Sequence, residues 1–498
     1  MAFSSFQYLA FFPTVIFICF ILPSPLRNIW LLVSSCFFYY AADPRYLPVL
    51  AAITILSYTS GLIHTLLNRE GTDKDRVKTG SKILLGITII CELGILVYFK
   101  YTGFLLDNLQ AFMSFFSKNV SFNYNSILLP LGISFILFQA ISYNIDVYRG
   151  DLPAEKNPLC FALYLAFFPK LISGPIEKAG KILAQIHEPI RFSIENLKEG
   201  LSLIILGLFY KLVFADRIAA VINPIFDSYI DYSGVEIALA VILFAFQIYG
   251  DFAGYSYMAI GSAKVFGFVL SDNFAAPYLS ESISEFWNRW HITLNTWLRD
   301  YLYIPLGGNR KGTLRKYCNL MVVFLISGLW HGAAWNFIIW GGLNGLYMIG
   351  EAFIRSHRLP FLKNNRNAFS THLFKKTITF LLIDFAWLFF CMPDIASALG
   401  MIRHAVTAPG IREILSFDFV FLQIFPDITT FAVMAISLIL IFCIDYMSYY
   451  KSCSFQTFFF RQSSAFRWIF GILLLYFIIF QGAYGDTYEQ TQFIYFQF

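Results

Sequence analysis

Long apolar runs separated by short polar stretches make up most of the chain. A helix that crosses a bilayer needs about 20 mainly apolar residues. The runs close to that length are residues 6–23, 28–42, 46–67, 82–100, 126–148, 198–214, 377–392, 427–449 and 466–484. This pattern predicts an all-α polytopic membrane protein.

Three further apolar runs do not fit a single straight crossing. Residues 158–176 are interrupted by Pro169 and Gly174, so we predict a broken or re-entrant segment there. Non-helical backbone at membrane depth persists only where protein or a cavity surrounds it. The runs 235–265 and 318–351 are too long for one straight crossing, and we expect each to tilt, to kink or to contain two elements.

The composition supports a membrane protein and excludes several other classes. Hydrophobic residues make up 58% of the 498 residues and charged residues 13%, whereas an average soluble domain has roughly 25% charged residues. We therefore exclude a soluble enzyme, a disordered scaffold and a secreted disulfide-rich protein. The eight cysteines form no C-x-x-C pair and no basic tract is present. We predict buried thiols, no metal site and no binding of nucleic acid.

Basic residues predict how the chain lies in the membrane. The densest early cluster falls between the third and fourth runs and consists of Arg69, Lys74, Arg76, Lys78 and Lys82. Cytoplasmic loops carry an excess of Lys and Arg, so we place this loop in the cytoplasm and the N-terminus outside it. The N-terminal run lacks a basic start and a small-residue cleavage site, so it is predicted as a first membrane helix. We expect one integral-membrane domain over residues 1–498.

The stretch 282–308 predicts an aromatic helix too polar for a lipid crossing. Ser282 and Glu285 form an S-x-x-E capping box that favours a helix start, and Pro305 favours its end. One face of this helix carries the side chains of Trp287, His291, Leu294, Leu298 and Tyr301. We expect the helix at the membrane surface or in a cavity wall, with His291 turned away from open water.

The stretch 321–346 contains His331 and no other ionisable residue. A titratable group at membrane depth is costly, and it indicates a functional site unless it serves only as a hydrogen-bonding group in the core. A buried imidazole stays neutral, and a neutral imidazole can accept a proton as a general base. Both alternatives stay open from the sequence.

The G-x-x-x-G pairs that begin at Gly328 and Gly341 predict close helix packing. Asp251 and Asp384 lie in apolar runs and are predicted as buried partners of basic or backbone groups.

Several motifs resemble those of the membrane-bound O-acyltransferase (MBOAT) family, and within it the bacterial alginate O-acetyltransferase branch. The longest are YGDFAGYSYMAIGSAKVFGF (249–268) and NFAAPYLSESISEFWNRWHITLNTWLRDYLYIPLGGNR (273–310). The others are FFPKLISGPI (167–176), FYKLVFADR (209–217), LWHGAAWNFIIWGGLNG (329–345) and FIYFQF (493–498).

The resemblance implies a bundle of roughly 11–13 transmembrane helices, with re-entrant and interfacial helices, around a central tunnel. It implies that His331 is the catalytic histidine and His291 a second site residue. Candidate tunnel residues are Trp287, Trp290, Trp330, Trp335 and Asp251, although packing alone also explains each of them.

The resemblance also implies a reaction. An acyl group, expected to be acetyl, moves from a cytoplasmic acyl-CoA to hydroxyls of an extracytoplasmic polysaccharide or peptidoglycan, with no permanently bound cofactor. An extracytoplasmic partner protein is expected, since the chain has no such domain of its own, and the location is the bacterial cytoplasmic membrane. The alternatives are D-alanyl transfer toward teichoic acid from a carrier-protein thioester, a transporter or channel, and a membrane anchor for a secretion complex.

Overall fold

A computed structural model provides the structure of the chain. It describes residues 1–67, 74–116, 122, 124, 127–357, 369–410 and 424–484, with side chains from residue 79 onward in the second range. The side chains of the basic cluster at 69–78 and the terminal FIYFQF motif lie outside the described residues. Within the described part of the chain the regular structure is helical, apart from one isolated β-bridge between Phe274 and Trp290.

The residues described in the first half of the chain form eleven α-helices. They are α1 (Phe6–Ile21), α2 (Ser24–Tyr40), α3 (Leu47–Leu67), α4 (Lys74–Leu96), α5 (Thr102–Phe115), α6 (Ile133–Arg149), α7 (Pro158–Ala166), α8 (Phe168–Leu171), α9 (Ala179–His187), α10 (Ile194–Leu208) and α11 (Asp216–Asp227). A π-helical turn, Val97–Tyr101, joins α4 to α5, and a second, Phe209–Ala215, joins α10 to α11.

The described part of the second half adds ten more. They are α12 (Gly234–Val265), α13 (Ile283–Arg289), α14 (Ile292–Leu298), α15 (Thr313–His331), α16 (Trp335–His357), α17 (Phe369–Cys391), α18 (Ile395–Thr407), α19 (Ile428–Lys451), α20 (Phe455–Arg461) and α21 (Ser464–Gln481).

Six helical stretches in the described residues are long and apolar enough to cross a membrane. They are Pro44–Leu67, Thr79–Phe115, Gly234–Val265, Trp335–Ser356, Ile428–Lys451 and Ser464–Gln481. The α1 helix is apolar but shorter. The all-α polytopic membrane fold is therefore confirmed, while the count of 11–13 membrane helices and the central tunnel stay predictions.

The helix contacts divide the chain into two compact units. The first contains residues 1–201 and 259–271, and the second contains 202–258 and 272–498. In the first unit the α3, α4 and α6 helices pack together, and the Gly61 backbone lies against the Tyr143 ring. A hydrogen bond of 2.6 Å between the hydroxyls of Tyr8 and Ser262 joins α1 to the segment 259–271 of the same unit.

The predicted break within residues 158–176 is confirmed. The α7 helix ends at Ala166 because Phe167 leaves the helical conformation, with ψ of 109°. The four-residue α8 helix follows, with Pro169 in its first turn. Residues 163–176, which include the break, are all buried in protein, which satisfies the condition for non-helical structure at membrane depth.

The long run 318–351 contains two helices, as expected. The α15 helix ends at His331 because Gly332 is extended, and α16 begins at Trp335. The two helices pack through glycines: a Cβ atom on Gly328 would lie 2.2 Å from the Phe337 carbonyl oxygen and 3.2 Å from the Gly341 Cα. Small residues at this contact let the two backbones approach closely, as the G-x-x-x-G pairs predict.

Other boundaries differ from the prediction. The run 82–100 does not end in a loop, because the helix continues through the π-helical turn to Phe115. The run 126–148 becomes helical only at Ile133, after Gly132 takes a left-handed φ of 70°. The bounds predicted for the run 235–265, by contrast, agree with the structure, where it is one continuous helix of 32 residues, α12, and not two elements.

The prediction of one helix in the stretch 282–308 is wrong. Its start is correct, because the Ser282 hydroxyl accepts from the Glu285 amide. The helix stops at Arg289, and Trp290 is extended while His291 is left-handed. A second helix, α14, then runs to Leu298 and passes into a π-helical turn. The 3.6-residue periodicity therefore does not continue through His291.

Candidate active site

His331 lies at the C-terminal end of α15, inside the second unit. Its side chain is buried, and the whole residue is 3% exposed. The Trp330 and Trp340 rings meet the imidazole edge-to-face, each with a centroid separation of 4.9 Å, and Phe390 lies at 5.5 Å. These aromatic side chains enclose the imidazole and keep bulk water away from it.

His291 lies at the turn between α13 and α14, and it is 1% exposed. Its φ of 45° belongs to the left-handed region, which is uncommon for a residue other than glycine. The turn is fixed by Asn273, whose backbone carbonyl accepts from the Ile292 amide and whose side chain accepts from the Thr293 hydroxyl at 2.6 Å. The Asn273 amide group also donates to the Ser256 hydroxyl on α12 at 3.3 Å.

The fold brings the two histidines together from separate elements. The His291 and His331 ring centroids lie 6.4 Å apart, with an angle of 60° between the ring planes. Trp330 contacts both rings, at 5.9 Å from His291 and 4.9 Å from His331. The Phe252 ring meets His291 edge-to-face at 4.6 Å. The structure therefore places the two predicted site histidines, His291 and His331, next to each other.

A shell of tryptophans surrounds the pair. Trp340 stacks on Trp387 at 5.6 Å, and Trp387 contacts Trp290 at 5.0 Å. Trp287 contacts Trp340 at 5.8 Å and Phe324 at 5.3 Å. Three of the four predicted tryptophans, Trp287, Trp290 and Trp330, are thus buried in this shell. Trp335 is different, because it begins α16 with its side chain 53% exposed.

Asp251 is buried and forms an ion pair, which agrees with its predicted role as the partner of a basic group. The Lys211 ammonium group lies 2.7 Å from the Asp251 carboxylate and 2.7 Å from the Asp216 carboxylate. Lys211 belongs to the π-helical turn after α10, while Asp251 directly precedes Phe252, the residue that packs on His291. The ion pair therefore anchors the part of α12 that supports the site. The other predicted aspartate, Asp384, is buried in α17.

Burial also sets the protonation state of His291, which lies outside the candidate spans. It lowers the pKa of this imidazole from an ordinary 6.5 to about 3, because desolvation disfavours the charged form. His291 is therefore neutral at physiological pH, with one nitrogen that carries a proton and one that can accept a hydrogen bond.

A neutral imidazole beside a second one in a water-poor pocket suits proton transfer to and from a hydroxyl. Within the described residues, no group of three His, Cys, Asp or Glu side chains is arranged to hold a metal ion.

Sequence reasoning missed several residues of this site. Phe252, Trp340, Trp387 and Phe390 contact the predicted residues, but an aromatic side chain in an apolar run carries no signal of its own. Lys211 did carry a signal, because it is a charged residue inside the apolar part of the FYKLVFADR motif.

Comparison with known proteins identifies the family. The sequence profile of the MBOAT, membrane-bound O-acyltransferase family matches residues 152–392, which include both histidines. A protein of Pseudomonas putida named "probable alginate O-acetylase" is 40% identical over 403 residues, which cover 80% of this chain and 79% of the relative. The chain belongs to the membrane-bound O-acyltransferase family.

Two further relatives of this membrane-bound O-acyltransferase have different names. The peptidoglycan O-acetyltransferase of Helicobacter pylori is 34% identical over 435 residues, 81% of this chain and 79% of the relative. The teichoic acid D-alanyltransferase of Streptococcus thermophilus is 29% identical over 251 residues, 47% of this chain and 59% of the relative. The chain is an O-acyltransferase that resembles the alginate O-acetyltransferase branch, and these relatives favour an enzyme over a transporter or a membrane anchor.

Proposed function

We propose that this enzyme transfers an acetyl group from a cytoplasmic thioester to hydroxyls of an extracytoplasmic polysaccharide or peptidoglycan, with His331 as general base. The observation that supports the proposal is the pairing of His331 with His291 in a buried aromatic pocket, with ring centroids 6.4 Å apart. A purely structural histidine can satisfy its one donor and one acceptor nitrogen with ordinary polar groups and has no need of a second imidazole nearby.

The proposed step is direct acyl transfer. The acceptor oxygen attacks the thioester carbonyl carbon while His331 takes the hydroxyl proton. The tetrahedral intermediate then collapses as the carbon–sulfur bond breaks, and the leaving thiolate receives the proton from His331. The products are an ester and a free thiol, and the imidazole returns to its neutral form. The sequence has no G-x-S-x-G nucleophile motif, which supports a general-base route over an acyl-enzyme.

His291 is proposed to stabilise the charge that develops on the thioester oxygen. A neutral imidazole has one N–H group that can donate to an oxyanion, and a donor in a water-poor site contributes more than it does in water. The left-handed turn and Asn273 hold this ring in place before substrate binds. That rigidity is what an oxyanion donor requires, because no reorganisation is then needed during the reaction.

The relatives suggest the substrates. The names of the Pseudomonas putida and Helicobacter pylori proteins refer to O-acetylation of alginate and of peptidoglycan, so we infer an envelope glycan as the acceptor and acetyl-CoA as the donor. A cytoplasmic donor and an external acceptor place the enzyme in the bacterial cytoplasmic membrane. We infer that an extracytoplasmic partner protein presents or modifies the glycan.

D-alanyl transfer is the second candidate, because the Streptococcus thermophilus relative carries that activity in its name. The two reactions differ in the donor. Inverted membrane vesicles supplied with labelled acetyl-CoA should accumulate acetyl ester if the first proposal is right. Label that enters only from a D-alanyl thioester on a carrier protein would favour the second.

The role of His331 is tested in cells by the ester-linked acetate on extracytoplasmic glycan. We expect His331→Gln to lose roughly 10²-fold or more of the acetate at equal abundance in the membrane, since general-base catalysis contributes about that much. His404→Gln is the matched control, because His404 lies in the same unit and bonds the Tyr232 carbonyl. Unchanged acetate in the His331→Gln strain would reject the base assignment.

A further inference from the structure

A buried carboxyl group in the first unit lies within one of the most apolar helical stretches of the protein. Glu92 is 0% exposed and belongs to α4, inside the candidate span Thr79–Phe115, whose mean hydropathy reaches 2.1. Few residues of that span are buried, yet Glu92 faces its helix neighbours. A carboxyl group at such depth is costly and indicates a specific role.

Both groups that hydrogen-bond to Glu92 are neutral. Its Oε1 atom accepts from the Ser57 hydroxyl of α3 at 2.7 Å and from the Asn144 amide of α6 at 2.9 Å. No Lys, Arg or His side chain among the described residues forms an ion pair with Glu92. A buried carboxylate without a cationic partner is strongly disfavoured, and such a group takes up a proton instead.

Two further buried atoms show where that proton lies. Glu92 Oε2 and Asn144 Oδ1 are both buried and make no hydrogen bond in the described structure. Both atoms are acceptors, and they belong to two side chains that a hydrogen bond already joins. A proton on Oε2 turns that atom into a donor, and its natural acceptor is the amide oxygen of Asn144. A single proton on Glu92 Oε2 could therefore serve both of these unpaired atoms and complete an acid–amide pair.

We propose that the first unit contains a proton-binding site, in which Glu92 holds a resident proton that it shares with Asn144. The acid form removes the charge from α4 within the membrane and fixes the register of α4 against α6. The site belongs to the first unit alone and does not depend on the proposed acyl transfer.

The other titratable side chains on the helices around Glu92 do not take over the role of this proton. His64 on α3 and Tyr143 on α6 are hydrogen-bonded to other groups. Asp146 lies in the last turn of α6, and Lys100 lies about two turns beyond Glu92 along its helix. The proposed proton is thus local to the Glu92–Asn144 pair.

Infrared spectroscopy tests the proposal on the full-length protein in lipid at neutral pH. The difference spectrum of wild type minus Glu92→Gln should show one band from the carbonyl stretch of a protonated carboxylic acid, with no matching loss of carboxylate bands. Glu281→Gln is the control, because Glu281 is half-buried and bonds His372; its difference spectrum should show the loss of a carboxylate. A carboxylate loss in the Glu92→Gln spectrum would overturn the proposal.

Thermal unfolding provides a second readout that does not depend on spectral assignment. The Gln side chain can donate to Asn144 Oδ1 and accept from Asn144 and Ser57, as the proposed acid does. We therefore expect the melting temperature of Glu92→Gln to stay within about 2 °C of wild type, and that of Glu92→Leu to fall by several degrees because Asn144 and Ser57 lose their partner. A Glu92→Gln variant as unstable as Glu92→Leu would show that the site requires the charged form.

Discussion

At the scale of single residues, His291 combines an unusual backbone with an unusual protonation state. Its left-handed conformation costs on the order of 1–2 kcal/mol for a residue with a Cβ atom. The contacts from Asn273 offset that cost, since they fix the backbone on the C-terminal side of the turn. Strain that the surroundings enforce is typical of functional positions.

The low pKa of His291 predicts how the stability of the protein depends on pH. The folded protein keeps this imidazole neutral down to a pKa of about 3, whereas the unfolded chain binds a proton below about 6.5. Between these values the unfolded state binds more protons, so stability falls as the pH falls. Asparagine tolerates the left-handed conformation, and its side chain does not bind a proton as the pH falls. The stability of His291→Asn should therefore decrease less on acidification than the stability of wild type.

The measurement is the melting temperature in detergent at pH 7 and at pH 4.5. We expect the drop between the two values to be smaller in His291→Asn than in wild type. His187→Asn serves as a control, because His187 is 53% exposed in its side chain and pairs with Glu155 at the surface of the first unit. Equal drops in wild type and His291→Asn would mean that the imidazole is not the acid-sensitive group.

The histidines of the site could be predicted from the sequence, but most of their neighbours could not. His331 is evident because it is the one ionisable residue in a long apolar stretch. Phe252 and Trp387 lie far from both histidines in the chain, and only the tertiary fold brings their rings within about 5 Å of site residues. Asn273 contributes through backbone and side-chain bonds to a distant turn, for which one sequence provides no pattern.

At the scale of helices, the contact between α15 and α16 holds His331 in place. A Cβ atom on Gly341 would lie 2.3 Å from the Phe324 carbonyl oxygen, a backbone atom that cannot move aside. We expect Gly341→Ala to destabilise the protein by about 1–3 kcal/mol through overpacking and to reduce acetyl transfer, because the end of α15 shifts.

A glycine on the same helix provides the control for this prediction. A Cβ atom on Gly350 would meet no atom within 4 Å. Gly350→Ala should therefore leave activity intact and match or slightly raise the melting temperature, since alanine favours helix by up to about 1 kcal/mol. Both variants would be compared by melting temperature and by labelled acetate transferred. A Gly341→Ala enzyme that behaves like Gly350→Ala would show that the helices tolerate a wider separation.

The sequence predicts where helices occur more reliably than where they are interrupted. The break at Gly332 has a local cause, the extended conformation of that glycine, and the run 318–351 around it is too long for one straight crossing. The break at His291 has no local cause, because the helical pattern of Trp287, His291 and Leu294 continues across it. Hydrogen bonds from residues 273–275 override that pattern, and a tertiary contact of this kind outweighs a helix preference of less than about 1 kcal/mol per residue.

At the scale of the whole molecule, the composition alone identifies a polytopic membrane protein, because the chain has too few charged residues to form the surface of a soluble protein. Orientation in the membrane is a further prediction. The basic cluster around residues 69–82 is expected in the cytoplasm and the region near residue 121 outside it. Alkaline phosphatase fused after residue 121 should be active and the same fusion after residue 72 inactive, with a cytoplasmic reporter showing the reverse. The opposite result would invert the predicted topology and place the N-terminus in the cytoplasm.

The hydrogen bond between Tyr8 and Ser262 has a consequence for how the first unit is made in the cell. The two residues are 254 positions apart, and a ribosome that adds about 5–20 residues per second separates their synthesis by roughly 13–50 s. Throughout that interval α1 can already pack against α2, but Ser262, the partner of Tyr8, has not yet been made. The nascent chain must therefore tolerate an incomplete first unit until more than half of the protein has been translated.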